Sequence, residues 1–309
     1  MIPPQSPPEP DWAALAANNE RLEKRRRTLR IVGVLVAVVL IGAIVAAAVL
    51  VTRKGSTDQP VVDGSKSPTA GGSKSPTAGG ASGSPRGIQG PATVGSLPAT
   101  KGGSPLALGS DAKTGTMTGI PGQVLKLPSG QNSFAQSAKQ IVDSAKSFTV
   151  STRVLVDSPT GNRSAVSQGD GQYYSYSLGR GSSNGRNLWY FKVQLPGGGS
   201  AVVYSKGDAT VNQWALLTGV FDETTKQITL YVNGASQGSA QAEGVQASGT
   251  NALQIGRLSS NGQWSDPWRG AVADIQLWDQ VLPEADIVKI VAGASSPPAT
   301  PPTAAWLTG

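Results

Sequence analysis

The chain contains no cysteine and no histidine in 309 residues. Without thiols there is no disulfide framework, no thiol nucleophile and no thiolate metal site. Without imidazoles, Ser-His-acid and Cys-His nucleophile arrangements, two-histidine metalloprotease helices and histidine zinc sites are excluded. An excess of basic residues in the folded part is also lacking, although the net charge is +7. Residues 1–52 carry six basic and four acidic side chains, residues 53–120 seven and three, and residues 121–309 thirteen and twelve. The excess of cations therefore sits ahead of the C-terminal part, which is close to neutral. Nucleic acid is not the expected partner, because its footprint needs the basic surface on the domain itself.

What is present begins with an apolar run. Ile31 to Val51 (IVGVLVAVVLIGAIVAAAVLV) has no charged or strongly polar side chain. As a helix it would span about 31 Å, the thickness of a bilayer core. Arg21, Lys24, Arg25, Arg26, Arg27 and Arg30 precede it, and only Arg53 and Lys54 follow closely. The positive-inside rule predicts a cytoplasmic N-terminus and an extracellular C-terminal domain, a single-pass protein of the cell membrane. The apolar run and the region before it both exceed the usual size of a cleaved signal peptide, so an uncleaved anchor is expected. The segment that follows is rich in Gly, Ser, Pro and Thr and repeats GSKSPTAG at 64–71 and again at 72–79. Such a composition buries too little apolar surface to offset the entropy of ordering and reads as a disordered stalk. The expected organisation is a cytoplasmic tail at 1–30, a transmembrane helix at 31–52, a stalk at 53–120, a folded domain at 121–292 and a disordered Pro-rich tail at 293–309.

The folded domain is most legible between Trp214 and Gln241, WALLTGVFDETTKQITLYVNGASQGSAQ. Trp214 to Phe221 reads as an apolar strand. Ile228, Leu230 and Val232 alternate with Thr229 and Tyr231, the period of two of a half-buried strand. Asn233-Gly234 suits both central positions of a type I′ turn, so the chain is expected to reverse there into a third strand. A meander of this kind is the unit of an all-β sandwich. Phe148, Val150, Val154 and Val156 mark an earlier strand, and Pro283, Leu282 and Ile287 a short closing helix pinned to the sandwich.

These segments resemble the laminin-G-like, concanavalin A-like jelly-roll family. KSFTVSTRVLV (Lys146 to Val156) is similar to its early strand, the LYVNG motif to its central hairpin, and ALQIGR (Ala252 to Arg257) to a later inner strand. WRGAVADIQLWDQVLPEADI (Trp268 to Ile287) is similar to its closing strand and helix. The resemblance covers roughly Gly122 to Ile290 and implies a recognition module on a bacterial surface protein, binding a glycan or a protein outside the cell. A structural or envelope-assembly role without glycan binding is the alternative. Glycoside hydrolysis, also known on this fold, needs two carboxylates about 5–10 Å apart. No strand offers acids at i and i+2 or i+4, so the chain is read as a non-enzyme.

Trp189, Trp214, Trp268 and Trp278 are read as core or sheet-face residues. The candidate ligand contacts are Tyr174, Tyr176, Trp264 and Asp266: aromatic rings for stacking on a sugar and a carboxylate to accept its hydroxyls. The residues establish no cofactor; calcium, which many members of that family bind, would fall to Asp274 at the family's acidic position in the closing strand, whereas the loop at 128–132, where relatives often carry acids, holds none.

Overall fold

The computed structural model describes residues 93–293 and 297–308, all within the unit Gly80–Gly309. The apolar run at 31–51 and the tandem repeat at 64–79 lie outside the described residues. Among the described residues no helix is long and apolar enough to cross a membrane.

The elements run β1 (Thr93–Leu97), β2 (Leu106–Gly109), β3 (Lys113–Gly115), β4 (Val124–Leu127), β5 (Ala135–Gln136) and β6 (Phe148–Val156). There follow β7 (Arg163–Gly169), β8 (Tyr174–Ser183), β9 (Arg186–Gln194), β10 (Ser200–Asp208), β11 (Ala215–Asp222), β12 (Gln227–Val232) and β13 (Ala235–Gln241). The chain closes with β14 (Leu253–Ile255), β15 (Leu258–Ser260), β16 (Gln263–Ser265), β17 (Gly270–Trp278), the helix α1 (Glu284–Ala292) and β18 (Ala304–Trp306). A front sheet has the order β1-β2-β5-β14-β7-β8-β9-β10, and a back sheet β13-β12-β11-β6-β17-β4-β3 with β18 also on β17. β15 and β16 form a separate two-stranded hairpin. All pairings between these strands are antiparallel, and the result is an all-β sandwich.

The meander forms as expected. β11 pairs β12 from Leu217↔Val232 to Asp222↔Gln227, and β12 turns into β13 through Asn233 and Gly234 at φ 50° and 78°. Positive φ at both central residues gives the right-handed twist that the flanking strands need. Alternate residues of each long strand point inward: Phe148, Val150 and Val154 from β6, Leu217 and Phe221 from β11, Trp189, Phe191 and Val193 from β9. Phe148 anchors this interior, with its ring centroid 4.7 Å from Tyr176, 6.0 Å from Phe221 and 6.2 Å from Phe191. Trp189, Trp268 and Trp278 are buried, and Trp214 is half-buried with its indole N–H on the Thr118 carbonyl.

Two boundaries differ from expectation. β1, β2 and β3 fall inside the segment read as stalk, and the sandwich extends back at least to Thr93. These strands hold three to five residues each, too few to display a period, and they become strands by pairing with neighbours rather than by propensity. The second correction concerns the tail. β18 pairs the second half of β17, Ile275↔Trp306 to Leu277↔Ala304, directly beyond the place where β4 pairs its first half. Trp306 is fully buried, and its indole N–H donates to the Ser104 carbonyl at 3.1 Å. The Trp306 side chain fills core volume.

The outer face of the back sheet is closed by α1. Pro283 stands at its N-cap, Leu282, Ile287 and Ile290 are buried, and they pack on Leu216, Val220 and Trp278. Arg153 of β6 reaches the far end of this helix, donating to the carbonyls of Ile290 at 3.3 Å and Val291 at 2.7 Å. A cation there bonds carbonyls of the last turn, of which that of Ile290 also accepts the Gly293 N–H, and complements the helix dipole.

Candidate functional site

The outer face of the front sheet is built differently. Register places Ala107, Gln136, Gln254, Ser167, Ser177, Lys192 and Val202 directly opposite one another on seven neighbouring strands. They alternate with core residues such as Ala135, Leu253, Val166, Leu178 and Phe191, so the period of two turns this polar row away from the interior. The row is nevertheless largely covered: Gln254 is 6% exposed, Ser167 1% and Ser177 0%.

The cover is the β15–β16 hairpin. Asn261 and Gly262, at φ 51° and 68°, form its turn, a second Asn-Gly reversal. The Tyr173 hydroxyl bonds Asn261, and the Gly262 N–H donates to the Gln172 carbonyl at 2.9 Å, which pins the tip. At the base, the Ser167 hydroxyl donates to the Arg257 carbonyl at 2.7 Å and the Ser164 N–H to the Asp266 carbonyl at 2.8 Å. Gly256 makes the hairpin's exit from β14 possible. Its φ is +88°, and a Cβ there would lie 2.8 Å from a Leu127 methyl and 3.1 Å from the Ser133 carbonyl.

Beside the hairpin lies a cleft of about 350 Å³, lined among others by Gln136, Gln254, Ser167, Ser259, Asn251 and Trp264. Arg257 is buried next to it. Its guanidinium carbon sits 3.4 Å from the Phe134 ring centroid and 3.8 Å from that of Trp264, so the group is held between two aromatic faces. Its Nε and Nη2 donate to the amide oxygens of Gln254 and Gln136, both at 2.9 Å. Burial holds the guanidinium below its ordinary range, at about 9, and it remains a cation at neutral pH.

A second polar cluster occupies the other end of the row. The Lys192 ammonium lies 4.5 Å from the Tyr174 ring centroid, 4.8 Å from that of Tyr190 and 3.7 Å from the Asp266 carboxylate. Burial lowers the Lys192 pKa, and Asp266 acts in the opposite direction. Burial raises the Tyr174 phenol, opposed by a hydrogen bond with Ser200.

The expected contacts divide accordingly. Trp264 lines the cleft, and Tyr174 and Asp266 meet at Lys192 on the same roofed face. Tyr176 does not join them. Gln168 faces Tyr176 while Gly169 faces Tyr174, a bulge that breaks the alternation and sends Tyr176 into the core against Phe148. Asp274 lies on the back sheet, in a bulge of β17 with φ 46°. Its carboxylate accepts from Arg153 Nε at 2.6 Å. Calcium takes six to eight oxygens, usually from several carboxylates. Among the described residues no group of three or more acids could hold a metal, and Asp274 faces a guanidinium, so these residues do not fit calcium. Gln136, Gln254 and Arg257 were not among the expected contacts. The only local signal was a polar residue between two apolar ones in Leu253-Gln254-Ile255, with Arg257 beyond a glycine.

Comparison with known proteins agrees with this architecture. Residues 129–288, more than half of the chain, match the model of the concanavalin A-like lectin/glucanases superfamily. No curated protein matches the chain. Among solved structures it is similar to the native heptameric SAP-like pentraxin of Limulus polyphemus, at 16% identity and a TM-score of 0.44, covering 54% of this chain and 80% of that one. It is also similar to domain 4 of AbnA, an extracellular arabinanase of Geobacillus stearothermophilus in complex with arabinotriose. There the identity is 17% and the TM-score 0.49, over 61% of this chain and 88% of that one. The sialidase module CBM40 of Ruminococcus gnavus, bound to α2,3-sialyllactose, shares 14% identity at a TM-score of 0.43, over 54% and 96%. At these identities the likeness extends to the fold alone.

Proposed function

Because the chain belongs to the concanavalin A-like lectin/glucanases superfamily, we propose that it is a non-enzymatic recognition protein whose front-sheet cleft binds a saccharide. The observation that carries this reading is the covered polar row. A sheet face that only closes a fold is apolar, whereas this one aligns carboxamides and hydroxyls beside Trp264 in a cleft of about 350 Å³. No aspartate or glutamate lines that cleft, so it lacks the acid pair that glycoside hydrolysis requires. Tyr174, Lys192 and Asp266 extend the same face and would contact further units of a longer glycan.

In the cell, this head is displayed outside a bacterial membrane by Ile31 to Val51, with the basic residues before it in the cytoplasm and a stalk leading to β1. The uninterrupted apolar run and its basic flank support that topology. Full-length protein with Trp264→Ala or Tyr174→Ala should lose retention on immobilised polysaccharides that the unaltered protein binds. Retention unchanged in both variants counts against the saccharide reading. Protease added to intact cells should remove the head, and protection until lysis would reverse the topology.

A further inference from the structure

The cleft is short of acceptors, and this points to its ligand. Arg257 is 3% exposed and, among the described residues, forms no salt bridge with any carboxylate. A guanidinium has only donors, so the oxygens of Gln136 and Gln254 must face it, and their NH₂ groups are turned away from it. Both side chains line the cleft, so the NH₂ groups are donors for what enters there. Two further buried donors beside it, Arg257 Nη1 and Trp264 Nε1, have no acceptor among the described residues. Asn251, whose amide nitrogen is directed to the Ser248 carbonyl, offers an acceptor at the cleft wall.

A neutral sugar brings a further donor with every hydroxyl that accepts, so it adds to this surplus and leaves Arg257 without a counter-charge. A carboxylate only accepts, with about four lone-pair sites, and it supplies the counter-charge that Arg257 lacks. We infer that the cleft takes an acidic saccharide, a sugar unit bearing a carboxylate, with Gln136, Gln254 and Arg257 on the carboxylate side and Trp264 against the ring. The inference rests on the saccharide reading above and adds the ligand's charge. Leaving a buried donor unpaired is costly and filling it with an ionic acceptor is strongly favourable, so the carboxylate decides specificity more than the sugar ring does.

The test uses the full chain in detergent micelles and titration calorimetry. The probes are galacturonate, mannuronate and glucuronate oligosaccharides, each beside its carboxyl-reduced counterpart. At least one acidic probe should bind at least tenfold tighter than its reduced form, with affinity falling as salt rises. Gln254→Glu supplies the missing partner to Arg257: its melting temperature should hold or rise while acidic probes lose at least tenfold in affinity. Retained binding in that variant would overturn the proposal. Equal affinity for acidic and reduced probes, abolished by Trp264→Ala, would overturn the charge inference and leave the saccharide reading intact. No binding to any probe, acidic or reduced, would overturn both. Equal binding of an oligoglutamate would assign the cleft to acidic peptide and overturn the saccharide part.

Discussion

The two sheets turn different chemistry outward, and each outer face is covered by the chain that follows β14. On the back sheet, Leu216, Val220 and Trp278 meet Leu282, Ile287 and Ile290, an apolar contact. The polar groups beneath α1 are matched. The Thr149 hydroxyl donates to the Gln280 carbonyl and accepts from the Leu282 N–H, Ser151 pairs with Thr218, and Arg153 with Asp274 and the helix end. On the front sheet, the β15–β16 hairpin covers carboxamides and hydroxyls, and donors of Ser175, Arg257 and Trp264 stay without acceptors among the described residues. Native proteins pair nearly all buried polar groups, because an unpaired one costs about 1–3 kcal/mol. A face fully matched within the chain serves stability. A covered face with donors left over is what the proposed saccharide cleft requires.

This contrast predicts that stability and binding separate by face. Trp278→Ala empties a packed site under α1, where the indole also bonds the Thr300 carbonyl, and should destabilise by about 3–5 kcal/mol in denaturant titration. The fraction that remains folded should bind saccharide as before. Asp274→Asn leaves the Arg153 guanidinium without its counter-charge. The pair is 19% and 13% exposed, so the loss should be about 2–3 kcal/mol, below the range for fully buried pairs. Calcium added to the unaltered protein should leave its melting temperature unchanged, whereas a rise would restore Asp274 as a metal ligand. On the front face the pattern reverses. Trp264→Ala should reduce saccharide affinity at least tenfold, about 1.4 kcal/mol, while denaturant stability falls by only about 1 kcal/mol. A similar large loss of stability on both faces would erase the distinction.

How much of this was legible depended on strand length. The meander from Trp214 to Gln241 could be read because its strands span several periods and Asn233-Gly234 marks the turn. The same dipeptide at Asn261-Gly262 carried the same signal. Its flanking strands hold three residues each, however, too few for a period of two to show. β1 to β3 and β18 were missed for that reason, since three to five residues become a strand only when a neighbour pairs with them. Within the site, Trp264, Tyr174 and Asp266 stood out as residue types suited to a sugar. Gln136, Gln254 and Arg257 are brought together by β5 and β14 from positions more than 100 residues apart, and no local pattern joins them. Tyr176 went astray through a single bulge, which sequence periodicity does not reveal.

That bulge also supplies the smallest and sharpest test. Tyr176 faces the core with no acceptor for its hydroxyl among the described residues, and Tyr174, two positions earlier, lies under Lys192 on the other side. Tyr176→Phe removes an unpaired polar group and keeps the ring against Phe148, so stability should stay level or rise by up to about 1 kcal/mol, with binding unchanged. The pH dependence gives an independent sign. Burial raises the Tyr176 phenol far above the ordinary tyrosine range, so above about pH 10 the unfolded chain releases a proton that the folded chain keeps. Stability must therefore fall as pH rises past 10, by about 1.4 kcal/mol per pH unit for each such group. Tyr190, also raised by burial, contributes in the same direction and remains in the variant. Tyr176→Phe should thus show an alkaline slope shallower by one proton, measured by denaturant titration between pH 9.5 and about 11. An unchanged slope would mean that Tyr176 is not buried, and that the front sheet's two faces are not divided at this bulge.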